Sequence, residues 1–403
     1  MKILQINTSV NTGSTGRIAE DIGRMLIKKG HKSYIAYGNI NNNSKSDTVK
    51  IGNRIDFLFH VLKSRLFDRH GFGSANATRS LIIQIGRIDP DLIHLHNIHG
   101  YYLNSRILFE YLKKKPRPVV WTFHDCWPFT GHCSHFDFVN CYKWQAECHH
   151  CPNVHKYPKS LIVDNSRNNF RQKKELYTGL ENVTLVSPSE WLAGFLRESF
   201  LSDYEIGVIH NGIDLEKFKP AYDKIIMSKY NLKEKYILGV ASNWTEKKGI
   251  SDFIKLRGIL DWHIDILLIG LKPEQISSLP EGVKGISRTE NTDEIAMLYS
   301  GAEAFVNPTY VDNFPTVNIE ALACGTPVIT YNTGGSSETI DDDTGIVVGK
   351  GNVKGLQSAV SELMLKDRQS LADKCRNRAE VFCNSKNMCE KYITLYEKHI
   401  KAC

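Results

Sequence analysis

Long apolar runs are missing from this 403-residue chain. None approaches the roughly 18–20 consecutive apolar residues that cross a bilayer, so no membrane-spanning segment is expected. The opening MKILQINTS has no apolar leader core and passes straight into strand-like alternation, which makes the cytoplasm the expected compartment. Low-complexity stretches are absent too, and 41% hydrophobic, 10% aromatic and 24% charged residues are the make-up of a folded chain. An excess of one charge is also lacking: the net charge is +7, without the dense basic stripe and interleaved aromatics of a nucleic-acid binder. Finally, the dinucleotide fingerprint G-x-G-x-x-G does not occur after the first strand. Only Gly13 and Gly16 stand there, in N-T-G-S-T-G-R, which counts against a dinucleotide-dependent oxidoreductase.

What is present is alternation. The length favours two domains. Strand-like runs at 2–7, 33–37, 92–95, 119–123, 183–187 and 206–209 alternate with helical patterns at 17–29, 78–87, 105–114 and 191–199. The pattern then restarts, with strands at 236–240, 265–269, 304–306 and 328–330 and helices at 250–260, 292–299 and 317–324. Such alternation predicts α/β architecture, a doubly wound parallel sheet in each half with helices on both faces. The boundary falls near Asn211-Gly212-Ile213-Asp214, dividing an N-terminal domain over 1–210 from a C-terminal domain over 211–385. Residues 386–403 are expected to form a helix that folds back on the first domain. Ligands of open α/β sheets bind in the crevice at the carboxyl ends of the strands.

Residues 54–69, RIDFLFHVLKSRLFDR, carry apolar positions at helical spacing together with Arg and Lys. The plainer expectation is an amphipathic helix facing a core; the other is contact with a membrane surface. Ten cysteines are also present. Five fall within 126–151, and four of these follow the pattern C-x7-C-x6-C-x2-C: Cys133, Cys141, Cys148 and Cys151. With His132, His135, His149 and His150 nearby, the 126–155 loop is expected either to hold a structural zinc or to carry unpaired thiols or a disulfide.

The chemistry concentrates in DNFPTVNIEALACGTP, residues 312–327. Pro315 places Asp312 in a loop and starts a helix near Thr316. The first-turn amides of Thr316, Val317 and Asn318 then form an anion site, with Phe314 and Pro315 leading into it. Glu320 sits inside the helix, within reach of a ribose. The bland alternative is a capped helix with a surface carboxylate. A second motif, A-S-N-W-T-E-K-K-G, follows the strand at 236–240 and contains Asn243, Lys247 and Lys248; taken alone, its Lys-Lys pair reads as a solvated turn. In the first half, Gly13 and Gly16 let backbone approach a ligand closely. His124, in W-T-F-H-D, closes a strand at its carboxyl end. His94, His96 and His99 cluster at another, where a polar wall is expected ahead of metal ligation.

A strand AEAFVNPTY, then DNFPTVNIEALACGTPVIT and NTGGSSETI, resembles the family 4 retaining glycosyltransferases of the GT-B fold. Their signature is two acidic residues separated by seven others, then E-A-[ML]-A-x-G-x-P-V and a later Gly-Gly. The motifs occur in order across essentially the whole chain. The resemblance implies two Rossmann-like domains, the first on the acceptor side and the second binding a nucleoside-diphosphate sugar. It implies that Glu320 holds the ribose, Asp312 the sugar hydroxyls, Lys248 the diphosphate and His124 the donor sugar, with Gly13 and Gly16 lining the site. It further implies retention at the anomeric carbon, with the donor phosphate taking the acceptor's proton and no catalytic metal. The expected acceptor is a glycan or lipid-linked glycan of surface polysaccharide synthesis, with peripheral inner-membrane contact and no nucleic-acid partner. The sequence departs from the family where Asp312 stands for Glu, D-N-F-P for E-G-F-G, and Asn243 for Arg. An epimerase or hydrolase of the same fold, and a non-catalytic sugar- or zinc-binding protein, are the alternatives.

Overall fold

The computed structural model describes residues 1–221 and 224–401; residues 222 and 223 of the expected C-terminal domain and 402 and 403 of the expected last helix lie outside the described residues. Aliphatic and β-branched runs build its strands, and the central ones are buried end to end. This is what parallel strands covered on both faces require. In the first sheet these are β1 (Lys2–Asn7), β2 (Lys32–Tyr37), β3 (Asp47–Lys50), β4 (Leu92–Leu95), β5 (Val119–Thr122), β6 (Val183–Ser187) and β7 (Glu205–Val208). They pair in parallel in the order β3-β2-β1-β4-β5-β6-β7. Winding reverses between β1 and β4, where Ile3 faces Ser33 on one side and Leu92 on the other.

The second sheet contains β8 (Lys235–Val240), β9 (Ile264–Ile269), β10 (Val283–Ile286), β11 (Ala304–Asn307), β12 (Val328–Tyr331) and β13 (Gly345–Val348). Its order, β10-β9-β8-β11-β12-β13, reverses between β8 and β11. Both sheets are therefore doubly wound. The chain divides into a unit of Met1–Ile209 with the residues from Met388 on, and a unit of His210–Asn387.

The last helix, Ser385–Lys401, gives the first unit a part of its core. Met388, Cys389, Tyr392, Ile393 and Tyr396 are buried in one cluster with Ile3, Ile22, Leu92 and Val120. The Tyr392 hydroxyl lies 3.0 Å from Thr122 Oγ1, and Tyr396 meets His94 Nδ1 at 2.6 Å. Removing an aromatic ring of this size from a packed core costs about 3–5 kcal/mol.

The Arg54–Phe67 helix overturns the expectation of an apolar face turned to the core. It begins with a capping box, Asn53 accepting from the Ile55 and Asp56 amides and Asp56 accepting from Asn53 N. Its only buried residues are His60 and Ser64. His60 Nε2 accepts from the amides of Gly71 and Gly73, both at 3.2 Å. A Cβ on Gly73 would lie 2.3 Å from the His60 ring, so the covering loop approaches as only glycine allows. The side packed against the protein is thus narrow, with only His60 and Ser64 buried and Phe57 edge-on to Tyr101 at 5.7 Å, and Ile55, Leu58, Phe59 and Leu62 are exposed.

Candidate functional site

In the second unit, the loops after β8 and β11 leave the sheet on either side of its reversal, and they are tied together. The Tyr310 amide donates to Lys247 O at 2.8 Å, and Thr309 Oγ1 reaches the same oxygen at 3.3 Å. Gly249, at φ 75°, lets the first loop lie so close that a Cβ would stand 2.2 Å from Pro308 O. This contact places the side chain before it: Lys248 Nζ donates to Asp312 Oδ2 at 2.6 Å and approaches Val311 O at 3.4 Å. Both partners are part-buried. A third loop, after β12, closes on the second. Thr333 donates to Thr309 O at 2.7 Å, and Gly334, at φ 56°, backs onto Asp312 O where a Cβ would lie 1.6 Å away. Motifs far apart in the sequence therefore meet, and the Gly-Gly run serves to seat Asp312.

The Thr316–Ala323 helix follows, with Pro315 as its cap and no side-chain cap bond. Its opening amides have no carbonyl one turn back, as at any helix N-terminus. Glu320 lies on its buried side, 6% exposed, and accepts from the Tyr299 hydroxyl at 3.1 Å. Two of the expected donor-binding residues have buried side chains. Phe314 is buried, its ring stacked on His210 with centroids 5.1 Å apart. Asn318 has no exposed surface; its side chain accepts from Asn307 Nδ2 at 2.7 Å and donates to Thr339 Oγ1 at 3.0 Å. Its amide is 3.2 Å from Pro315 O, leaving Thr316 and Val317 to open the helix. Asn243 is exposed in the loop after β8.

The first unit gathers its residues in the same way, at the carboxyl ends of β1, β4 and β5. Gly13, at φ 65°, begins the Gly13–Lys28 helix, and nothing stands within 4 Å of where its Cβ would be. Gly16 packs under the loop, with its carbonyl accepting from Asn11 N at 3.0 Å. The helix has no side-chain cap. Asn7 Oδ1 and Thr12 Oγ1 are buried without a hydrogen-bond partner. Buried polar atoms are normally satisfied, so this loop has unused hydrogen-bonding capacity, a feature that spacing alone did not reveal.

His124 Nε2 lies 3.1 Å from His96 Nδ1, and His96 Nε2 lies 3.0 Å from Gln5 Oε1. Burial, opposed only in part by Asp125, depresses His124 to a pKa of about 4, so it is neutral at physiological pH. Asp125 pairs with His99 at 2.8 Å. Burial works to raise the Asp125 carboxyl, but His99 and the Trp127 amide outweigh it and hold it at about 2. His94 is committed to Thr122 and Tyr396. The three histidines of H-L-H-N-I-H thus form a hydrogen-bonded wall. Among the described residues no group of three or more His, Cys, Asp or Glu side chains stands ready-made to hold a metal. Sequence reading gave no role to Gln5 or Asp125, though Asp125 adjoins His124 in the quoted motif.

Comparison with known proteins follows the same division. Residues 15–217 match the family model described as Glycosyltransferase Family 4, and residues 223–382 match that described as Glycosyl transferases group 1. WcaC of Escherichia coli (strain K12), provisionally assigned to colanic acid biosynthesis as a glycosyl transferase, is 24% identical over 98% of this chain and 100% of its own length. The capsular polysaccharide biosynthesis glycosyltransferase CapM of Staphylococcus aureus is 28% identical over 47% of this chain and 54% of its own. Among solved structures, sucrose-phosphate synthase from Thermosynechococcus elongatus superposes with a TM-score of 0.74 at 17% identity, covering both chains in full. Anabaena Alr3699/HepE in complex with UDP-glucose gives 0.67 at 14% identity, over 99% of this chain and 100% of its own.

Proposed function

The chain belongs to glycosyltransferase family 4 and is a glycosyltransferase of the GT-B fold; on that footing we propose that it transfers a sugar from a nucleoside diphosphate to a hydroxyl of a glycan or lipid-linked glycan, with retention, in surface polysaccharide biosynthesis. The observation that carries this reading is the Lys248–Asp312 pair at the reversal of the second sheet, with Glu320 one short helix away. In this proposal the second unit binds the donor. Its diphosphate takes the Lys248 ammonium, assisted by Lys247, by the Thr316 and Val317 amides and by the neutral amide of Asn243 where the family has Arg. Asp312, released from Lys248, turns to the sugar hydroxyls, while Glu320 holds the ribose. Gly13, Gly16 and His124 are the candidate substrate contacts of the first unit, taken by itself. As the bond to the leaving diphosphate breaks, negative charge grows on its oxygens, and fixed cations and amides already aimed there stabilise it. The same phosphate oxygen takes the acceptor's proton, so no protein base is required.

The acceptor side also offers a surface suited to an anionic membrane, which supports a lipid-linked acceptor. Ile55, Leu58, Phe59 and Leu62 repeat on one exposed helical face. Leu161 and Ile162 are 49% and 74% exposed, and the Leu161 amide donates to Arg65 O of that helix at 2.7 Å. Arg54, Lys63, Arg65, Lys156 and Lys159 are exposed around them. No helix among the described residues is long and apolar enough to cross a membrane.

The test is nucleoside diphosphate release from a panel of sugar nucleotides, with and without lipid-linked glycan extracts. Acceptor-dependent release is expected, and Glu320→Ala should abolish it while leaving the thermal melt in place. Failure to bind any sugar nucleotide would overturn the reading, and undiminished turnover in Glu320→Ala would remove that residue from the site.

A further inference from the structure

The loop between β5 and the Ser166–Tyr177 helix is not needed to explain glycosyl transfer, and it carries an unusual concentration of sulfur. Cys133, Cys141, Cys148 and Cys151 are all free thiols. Although as many as seven residues separate consecutive members, all four line one small cavity of about 10 Å³, with Phe136 and Trp144 in its wall. We propose that these four thiolates hold a single structural zinc ion that fastens this loop.

Four observations converge. The first is the space: a cavity of about 10 Å³ is at the lower limit for one water molecule and suits a lone ion. The second is the turn between Cys148 and Cys151, which passes through His150 at φ 45° and so brings together a C-x2-C pair, a common zinc-ligand spacing. The third is a set of polar atoms without partners, of which the Trp144 indole N–H is a donor whatever the imidazole tautomers. His132 Nε2, Trp144 Nε1, His149 Nδ1 and Ser166 Oγ belong to residues lining the same cavity, and each is buried with no hydrogen-bond partner. Thiols are weak acceptors, whereas zinc-bound thiolates accept such bonds from a surrounding shell. One bond of this kind is already in place, Gly131 N to Cys148 Sγ at 3.2 Å. Position 131 also has no room for a Cβ, which would lie 2.7 Å from that of Cys148.

The fourth observation is charge. The Lys173 ammonium is buried against the Trp127 ring at 3.4 Å and donates to Trp127 O and Thr130 O. It forms no ion pair among the described residues. A zinc bound by four thiolates carries two net negative charges and would supply that cation with a counter-ion. Binding draws the thiols inward to ligand spacing and releases their protons to solvent, four in all if every thiol starts protonated. The metal would be structural: four sulfur ligands leave no open position, and the loop begins beside Asp125, where the Cys126 amide bonds to Ser134 O at 2.9 Å.

The experiment is elemental analysis of the purified full-length protein after desalting, followed by titration with an organomercurial in the presence of a zinc-sensitive dye. About one zinc per chain is expected, released in step with modification of about four thiols. Cys148→Ser with Cys151→Ser should lower the zinc content at least tenfold, while Cys375→Ser should leave it unchanged. Should the double variant fail to fold, the wild-type titration decides. Zinc well below one per chain, iron in its place, or thiols found as disulfides would overturn the proposal.

Discussion

Lys248 and Asp312 hold each other across two loops, Nζ 2.6 Å from Oδ2, although 64 positions separate them in the chain. The pair is accessible enough that its own contribution to stability is small, about 0–1 kcal/mol. In the proposed mechanism its value is preparatory: a cation is held at the strand ends by a partner that a diphosphate would displace. Lys248→Ala is therefore expected to lower kcat by about 10²–10³-fold, the cost of losing one fixed stabiliser of developing charge. Asp312→Asn should raise the donor KM and lower kcat with little change in melting temperature. Steady-state diphosphate release and thermal melts check both, and activity within about threefold of wild type in both variants would contradict the assignment.

Acid should destabilise the first unit. Burial, the leading cause in each case, depresses His60 to about 3 and His124 to about 4 and keeps His70, His94 and His96 below their ordinary value near 6.5. Between pH 6.5 and these lower values the unfolded chain binds protons that the folded chain refuses. The stability they supply is thus complete above about pH 6.5 and lost as pH falls through the folded values. At pH 5 the loss is on the order of 2 kcal/mol each for His60 and His124. His132 opposes this: burial lowers it, but Asp68 raises it on balance. Urea midpoints should fall from about pH 7.5 to about pH 5 with the slope unchanged; a flat or rising midpoint would reject the prediction.

The exposed apolar face of the Arg54–Phe67 helix can be removed without disturbing a core. Leu58 and Phe59 are 54% and 67% exposed, so Leu58→Ser with Phe59→Ser should leave the melt unchanged. Each side chain entering a lipid surface would contribute about 1.5–3 kcal/mol. Sedimentation with vesicles containing anionic lipid should therefore weaken at least tenfold. Equal binding by variant and wild type would detach this face from any membrane role.

The central strands and the order of the motifs were legible because buried parallel strands read as continuous apolar runs. The strands at 47–50, 283–286 and 345–348 were not. All three lie at sheet edges, where little apolar surface is covered: DTVK of β3 has no buried residue, and the Gly in VKGI breaks the pattern of β10. The Ser166–Tyr177 helix, SRNNFRQKKELY, escaped because its buried side includes Asn169 and Lys173. At the candidate site, the motifs singled out Asp312, Glu320 and Lys248 as expectations. They did not foresee that Lys248 and Asp312 touch, nor that the Phe314 and Asn318 side chains are buried, since both facts depend on what other loops bring near. The Arg54–Phe67 helix misled for a related reason: periodicity locates an apolar stripe but not what lies opposite it.

The return of the last helix to the first unit has a consequence for the order of events during synthesis. Tyr392 and Tyr396 complete a core begun by Ile3, Ile22 and Leu92, yet they leave the ribosome after the whole of the second unit. An emerging first unit must wait with Thr122 and His94 uncovered while 178 residues, His210–Asn387, are still being made. Domains otherwise fold in turn as they emerge. Here the first to emerge is the last to be finished, its core closed only when the Ser385–Lys401 helix arrives.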